Sequence, residues 1–237
     1  MRSFFVFAGR RSLDYGITVE HCPSYPTPAR TVTKTTVPGR SGELAQDEGT
    51  FGNAVQPYEV WFYGAVPGGF NPAASRIANW LLGATGYQRL EDSYDPDTYR
   101  MALFAGPVDF ENWMLRRGRA TLEFDCQPQR WLKSGEQPVA VESGQKLYNL
   151  WRPAKPLITL TGNGTLTVGG STVTVTGTSG EVTLDCELQD AYQGSTNLNG
   201  SVEVENHAWP VLEPGETQIT FAGGISGVKI IPRWWRL

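Results

Sequence analysis

Much of the chain alternates between apolar and polar residues. "RATLEFDC" (Arg119 to Cys126) places Ala120, Leu122, Phe124 and Cys126 on one side and Arg119, Thr121, Glu123 and Asp125 on the other. "EVTLDCEL" repeats the pattern with Val182, Leu184, Cys186 and Leu188. Side chains alternate faces along a strand, so both segments predict antiparallel strands buried on one face. "YEVWFYGAV" and "YRMALFAG" add strands in the first half, and the apolar run from Phe4 to Ala8 predicts a first strand. That run is too short for a signal-peptide core or a membrane span. One stretch has helical period. In "NPAASRIANWLLG", Asn71 fits an N-cap, Pro72 the first helical position and Gly83 a left-handed stop. Ala74, Ile77, Ala78 and Leu81 share a face, which predicts a short amphipathic helix packed on a sheet.

From Pro156 onward the runs shorten. Asn163-Gly164, Gly169-Gly170 and Ser179-Gly180 separate them and predict tight hairpins, because these dipeptides supply positive φ. "SVEVEN", "TQITFA" and "VKIIP" follow, and strands at this spacing predict a β-sandwich. Polar and turn residues in "QPQRWLKSGEQPV" (Gln127 to Val139) mark a boundary. The expectation is a mainly β chain of two β domains, residues 1–132 with one short helix and residues 133–237 as the sandwich.

Composition agrees with a globular chain: 40% of the 237 residues are hydrophobic and 19% charged, while 27 Gly and 16 Pro favour turns over long helices. The net charge is −4, with 13 basic and 14 acidic residues up to Leu132 and 7 and 10 beyond it. Neither part carries the basic footprint of a protein that wraps nucleic acid, although a chain past which DNA slides without sticking is compatible. Cys22, Cys126 and Cys186 are scattered and form no CxxC, so they are read as small core residues rather than a disulfide framework or zinc site. A reducing cytoplasm suits them, and the absence of an export signal predicts a protein that stays in the cell or leaves as part of something larger.

Candidate chemistry is sparse. "TTVPGRSGELAQDEGTFGN" (Thr35 to Asn53) is glycine-rich but lacks the lysine and strand-to-helix setting of a phosphate loop. His21 and Cys22 are adjacent, and neighbours on an extended chain point apart, so they make a poor nucleophile pair. Neither His21 nor His207 sits among donors at metal-ligand spacing. Glu91, Asp92, Asp95 and Asp97 form the densest acidic group and leave a glycan hydrolase open as an alternative, provided two of them flank a cleft. Asn163-Gly-Thr and Asn199-Gly-Ser match glycosylation acceptors but coincide with turns. Trp61, Trp80 and Trp113 fall in patterned segments and are expected in the core. Trp209, Trp234 and Trp235 are the candidates for domain or partner contact, with one of the last pair facing inward and the other elsewhere. Exposed tryptophans also leave a carbohydrate-binding module as an alternative. No catalytic, cofactor-binding or metal-binding set emerges.

The order of segments resembles the distal tail protein (Dit) family of long-tailed bacteriophages. The likeness runs through "FFVFAGRRSLDYGITVE", "VPGRSGEL" with "GTFGN", "ASRIANWLLG", "YRMALFAG" with "RATLEFDCQPQRW", "KPLITLTGNGTLTV", "EVTLDCELQDAYQG" and the terminal "VKIIPRWWRL". It covers nearly the whole chain. It implies a structural virion protein without enzymatic activity or cofactor, assembled in the host cytoplasm. The N-terminal domain would be tail-tube-like and build a homohexameric ring. The C-terminal domain would be a galectin-like or carbohydrate-module-like sandwich outside it, acting as a docking surface. The ring would join the tail tube protein to the tail-associated hub protein and to receptor-binding or other baseplate proteins, with DNA only in passage and no membrane contact. Some members carry an extra sugar-binding insertion, for which this sandwich has no room. Under this resemblance Gly39, Gly42, Gly49 and Gly52 become bends in a long hairpin arm. Val37, Gly39, Arg40, Gly42 and Glu43 become candidates for the subunit interface, with Arg40 and Glu43 offering charges to a neighbour.

Overall fold

The computed structural model describes residues 3–63, 69–114 and 117–237, the side chains of 112–114 excepted. It is mainly β, as the alternation predicts, and divides into two compact units, Met1–Arg130 with Leu237 and Trp131–Arg236.

In the first unit a sheet runs in the order Arg10–Arg11, Phe5–Phe7, Gln88–Asp92, Thr98–Leu103, Arg117–Leu132, Ala54–Tyr63, Ile17–Val19 and curls into a half-barrel. Ala54–Tyr63 lies antiparallel to Arg117–Leu132, with Val60 opposite Ala120 and Tyr58 opposite Leu122. Ala120, Leu122, Phe124 and Cys126 are all buried, as their spacing demands. Phe5, Phe7, Tyr58, Phe62 and Phe124 build an aromatic core against the helix Phe70–Gly83.

Helix ends and face differ from expectation. Gly69 occupies the N-cap with φ 90, a backbone value that favours glycine, and no side chain caps the helix. Pro72 therefore sits two positions deeper than expected, at the third helical residue, still where no helical N–H is needed. Gly83 is the last helical residue and the stop is an extended Ala84. The buried face is Ala73, Ile77, Trp80 and Leu81, rotated from the expected one because Trp80 stacks between Phe5 and Tyr15 at centroid distances of 5.8 and 4.2 Å. Trp61, expected in the core, lies half-buried on the opposite face of the sheet from Tyr58, Val60 and Phe62, under the Arg119 guanidinium. The side chain of Trp113 lies outside the described residues.

The boundary segment is not broken where its polar residues suggest. The strand Arg117–Leu132 continues through Gln127, Pro128 and Gln129, and a 3-10 turn follows at Lys133–Glu136. The second unit is a sandwich. One sheet runs Val139–Val141, Gly227–Ile231, Leu157–Thr161, Glu181–Asp185, Asp190–Gln193, Thr196–Asn197, and the other Lys146–Asn149, Gly215–Gly223, Gly164–Val168, Ser171–Val175, Val202–Val204. Ile158, Leu160 and Leu184 from the first meet Leu166, Val173 and Ile219 from the second in one core.

Of the three expected hairpins, Gly169-Gly170 is one: Val168 pairs with Ser171 across it, and Gly169 has φ 58. Asn163-Gly164 and Ser179-Gly180 instead carry the chain from one sheet to the other, because Leu157–Thr161 pairs with Glu181–Asp185 and Gly164–Val168 with Ser171–Val175. The first crossing is tight. A Cβ on Gly162, whose φ is 98, would lie 2.1 Å from the carbonyl oxygen of Gly224. Asn163 spans this corner, accepting from the N–H and hydroxyl of Thr178 and donating to its carbonyl. Asn199 is likewise occupied: it accepts from the Ala191 N–H and donates to Asp190. Both amides serve turns.

Candidate functional site

The segment from Thr35 to Asn53 belongs to a two-stranded arm. Arg30–Thr36 and Glu43–Phe51 pair antiparallel, Thr36 with Glu43 and Lys34 with Ala45, as a sheet of their own. Alternating threonines and charges give the arm no apolar face. From Val32 to Thr50 every residue is exposed, Leu44 at 50% and Val37 at 38% included. Gly39 and Gly42 shape the tip with φ 81 and 88. Gly49, with φ 72, lies where the register slips between Arg30 opposite Phe51 and Val32 opposite Asp47; its N–H donates to Asp47 Oδ1. Gly52 has no positive φ, and its N–H closes the base of the arm on the Ala29 carbonyl at 2.9 Å. At the tip Glu43 already has a partner inside the arm, Lys34 at 3.8 Å. Arg40 makes no side-chain hydrogen bond or ion pair among the described residues.

The acidic group of the hydrolase alternative is built into the first unit's structure. Asp92 is 9% exposed and accepts from the hydroxyls of Tyr25 and Tyr58, at 2.9 and 3.0 Å, and from the backbone N–H groups of Tyr94 and Asp95. Burial first, and the Asp92 charge second, push both phenols above their ordinary range, so they remain donors. Asp95 accepts from the Thr98 hydroxyl. These carboxylates cap the turn between Gln88–Asp92 and Thr98–Leu103; their acceptor positions are used by the fold.

Across the sheet, the face away from the helix carries Glu20, Glu59, Glu91, Glu123 and Asp125. Of its arginines, Arg119 is held by Glu20 at 2.6 and 3.1 Å, which keeps that carboxylate below its usual range, and Arg89 pairs with Glu91. A cluster that sequence spacing could not reveal appears here: the donor atoms of Glu20, His21 and Glu59 lie within 4.8 Å of one another. Glu20 is committed to Arg119, which already supplies a positive partner to one of the three. Cys22, expected in the core, is exposed. Cys126 and Cys186 are buried, and burial pushes their thiols up to about 11 and about 12, so neither is a ready nucleophile.

In the second unit both Trp234 and Trp235 pack against the sandwich core instead of diverging. Arg233 has φ 56, which turns the chain just before them, and the Trp235 indole N–H donates to the Pro153 carbonyl at 2.9 Å. Trp209 is partly buried against the same core, and one side of it borders a cleft. Val182, Leu184 and Cys186 are buried as expected, but Leu188 is 71% exposed. The strand ends at Asp185, whose Oδ1 accepts the N–H groups of Glu187 and Leu188, and Gln189 adopts φ 57.

No protein-family model matches the chain, and no curated protein does. Solved structures do match. The SPP1 Dit protein, a paradigm of the hub adsorption apparatus in Gram-positive infecting phages, superposes with TM-score 0.77 and 14% identity over 100% of both chains. A chain of the phage P2 baseplate in its activated conformation with Ca matches with TM-score 0.51 and 9% identity, over 100% of this chain and 99% of that one. Among the described residues no helix is long and apolar enough to cross a membrane. The chain has the mainly β fold of the SPP1 Dit protein.

Proposed function

We propose that this chain is a structural protein of a long-tailed phage virion, placed at the distal end of the tail. Copies close into a homohexameric ring that joins the tail tube protein to the tail-associated hub and baseplate proteins, and DNA passes through it. The first unit builds the ring and the second offers the docking surface. Assembly takes place in the host cytoplasm, and the protein works without a catalytic centre or cofactor.

Fold likeness alone does not carry a function. The observation that carries this reading is the arm. An isolated two-stranded hairpin is marginally stable in water, and this one has no apolar face against its own unit. A defined hairpin of that kind finds its stabilising surface on another molecule. In a closed ring every copy offers the same arm to the next, through head-to-tail contacts. The acidic excess of this sheet face supports passage of DNA, since two of its arginines, Arg89 and Arg119, are already paired with Glu91 and Glu20 and Arg117 stands among more numerous carboxylates.

Light scattering and negative-stain imaging of the chain, alone and mixed with its tail tube and hub proteins, test the reading. Hollow rings support it; a strict monomer in every mixture refutes it. A finer test is charge reversal at the tip, Arg40→Glu with Glu43→Lys. Assembly is expected to weaken about tenfold, the scale of one lost charged contact of roughly 1.4 kcal/mol. The exposed tip leaves monomer stability unchanged within about 0.5 kcal/mol. Unaltered assembly would remove both residues from the interface.

A further inference from the structure

Against the second unit's sandwich lies an open cleft of about 940 Å³. Thr172 and Thr174 line it from one strand, Glu203 on the adjoining edge strand pairs with Thr174, and Glu205, His207 and Trp209 follow in the lining. We propose that this cleft binds an uncharged saccharide, with a sugar ring stacked on Trp209. The inference stands on the second unit alone and does not depend on ring formation.

Four observations point the same way. Trp209 packs against the sandwich core while lining the cleft, so part of its ring is held by the core and part borders the cleft. A ring so placed suits the C–H face of a pyranose, which needs apolar contact on one side and hydrogen bonds around its edge. Next, the polar groups are unspent. The side chains of Thr172, Thr174, Glu203, Glu205, Asn206 and His207 make no hydrogen bond or ion pair among the described residues, whereas Asn199, which also lines the cleft, is bonded to Ala191 and Asp190. Hydroxyls and carboxylates gathered around one aromatic ring are the donors and acceptors that sugar hydroxyls require.

The third observation is backbone strain. Asn206 and His207 adopt φ 54 and 55 in succession, a left-handed pair without glycine. Such conformations persist where the surroundings impose them and concentrate at binding sites; here the strained turn presents His207 to the cleft. The fourth is charge. The lining holds two glutamates and no lysine or arginine. Anionic polymers such as phosphodiester-linked glycans are repelled, and an uncharged saccharide is not. Val202 and Val204 add apolar surface beside Trp209, so the lining mixes apolar and hydrogen-bonding groups as a sugar ring does.

The test uses the full chain and soluble probes: uncharged oligosaccharides of hexose and of N-acetylhexosamine, and a phosphodiester-linked polyol as the anionic comparison. Binding is read from the Trp209 indole N–H resonance and by calorimetry. An uncharged oligosaccharide is expected to shift that resonance and to bind about tenfold more weakly after Trp209→Ala. Because Trp209 also touches the core, Glu203→Ala and Thr174→Val serve as second variants: both side chains are free of internal partners, and each is expected to weaken binding with the fold unchanged. Absence of binding by every uncharged probe up to about 10 mM overturns the proposal. So does binding that Glu203→Ala and Thr174→Val leave intact, and so does preference for the anionic polymer.

Discussion

Asp185→Ala is expected to remove about 3 kcal/mol from the stability of the second unit, a large part of the roughly 5–15 kcal/mol that holds an ordinary domain folded. Asp185 is 4% exposed and meets Arg233 in a fork, Oδ1 with Nη1 at 2.7 Å and Oδ2 with Nη2 at 2.9 Å. Its Oδ1 also accepts two backbone N–H groups of the turn that follows. Alanine leaves a guanidinium without its counter-charge and two amides without an acceptor. Arg233 keeps some access to water, which places the cost at the lower end of the range for broken buried pairs. Hydrogen exchange at the amides from Val182 to Ala191, compared with amides of the first unit, separates this local loss from global unfolding. A variant within about 0.5 kcal/mol of the parent would show the pair to be incidental.

The same carboxylate sets a pH dependence. Hydrogen bonding from Arg233 first, and then from the turn's N–H groups and the Arg233 charge, holds Asp185 below its usual range in the folded state. In the unfolded chain it returns to the ordinary value of about 4. The stabilisation is therefore complete above that value and is lost as pH falls through the folded value, because only the unfolded state gains the proton readily in that window. Acid unfolding of the second unit should depend less steeply on pH in Asp185→Asn than in the parent, while near neutral pH the variant is less stable but its pH slope equals the parent's. Equal acid slopes would mean that other carboxylates carry the effect.

How much of this was legible in the sequence depends on the distance over which each feature is decided. Alternation located Ala120, Leu122, Phe124 and Cys126 correctly because a sheet buried on one face needs no information beyond its own strand. The same rule held the answer for Trp61: Val60 and Phe62 face the core, so the residue between them cannot. Leu188 continued the pattern past the strand's true end, which is set by Asp185 capturing two amides rather than by hydrophobicity. Asn163-Gly164 supplies turn chemistry equally to a hairpin and to a sheet crossing. The choice is made by Leu166 pairing with Phe221, far along the chain. The candidate sites divide likewise. The arm's exposure was implicit in its threonines and charges, whereas the approach of Glu20, His21 and Glu59 needs two strands in register and has no local signature. The cleft beside Trp209 joins strands and a strained turn whose positive φ values fall on Asn206 and His207, where no glycine announces them.

Replacing Thr31 to Thr50 by a short glycine-serine turn is expected to abolish assembly while leaving the monomer folded. The geometry permits the excision. The Gly52 N–H donates to the Ala29 carbonyl at 2.9 Å, so the two ends of the arm already lie side by side and a short turn joins them without moving either strand of the body. Nearly all that is removed is solvent-exposed, and no residue of the aromatic core is among it. Thermal unfolding of the excised chain should therefore stay within about 1 kcal/mol of the parent. Assembly has no such reserve. If the arm gives its exposed strands and its Val37, Leu44 and Arg40 side chains to a neighbour, its loss removes a whole contact from each copy, and a closed ring loses that contact at every junction at once. The expected record is a monomer by light scattering at concentrations where the parent assembles, alone or with the tail tube and hub proteins. Rings formed by the excised chain would place the subunit contact elsewhere, and the arm would then need another partner. Unfolding of the first unit would give the arm a structural role within its own copy, against the exposure of its side chains from Val32 to Thr50.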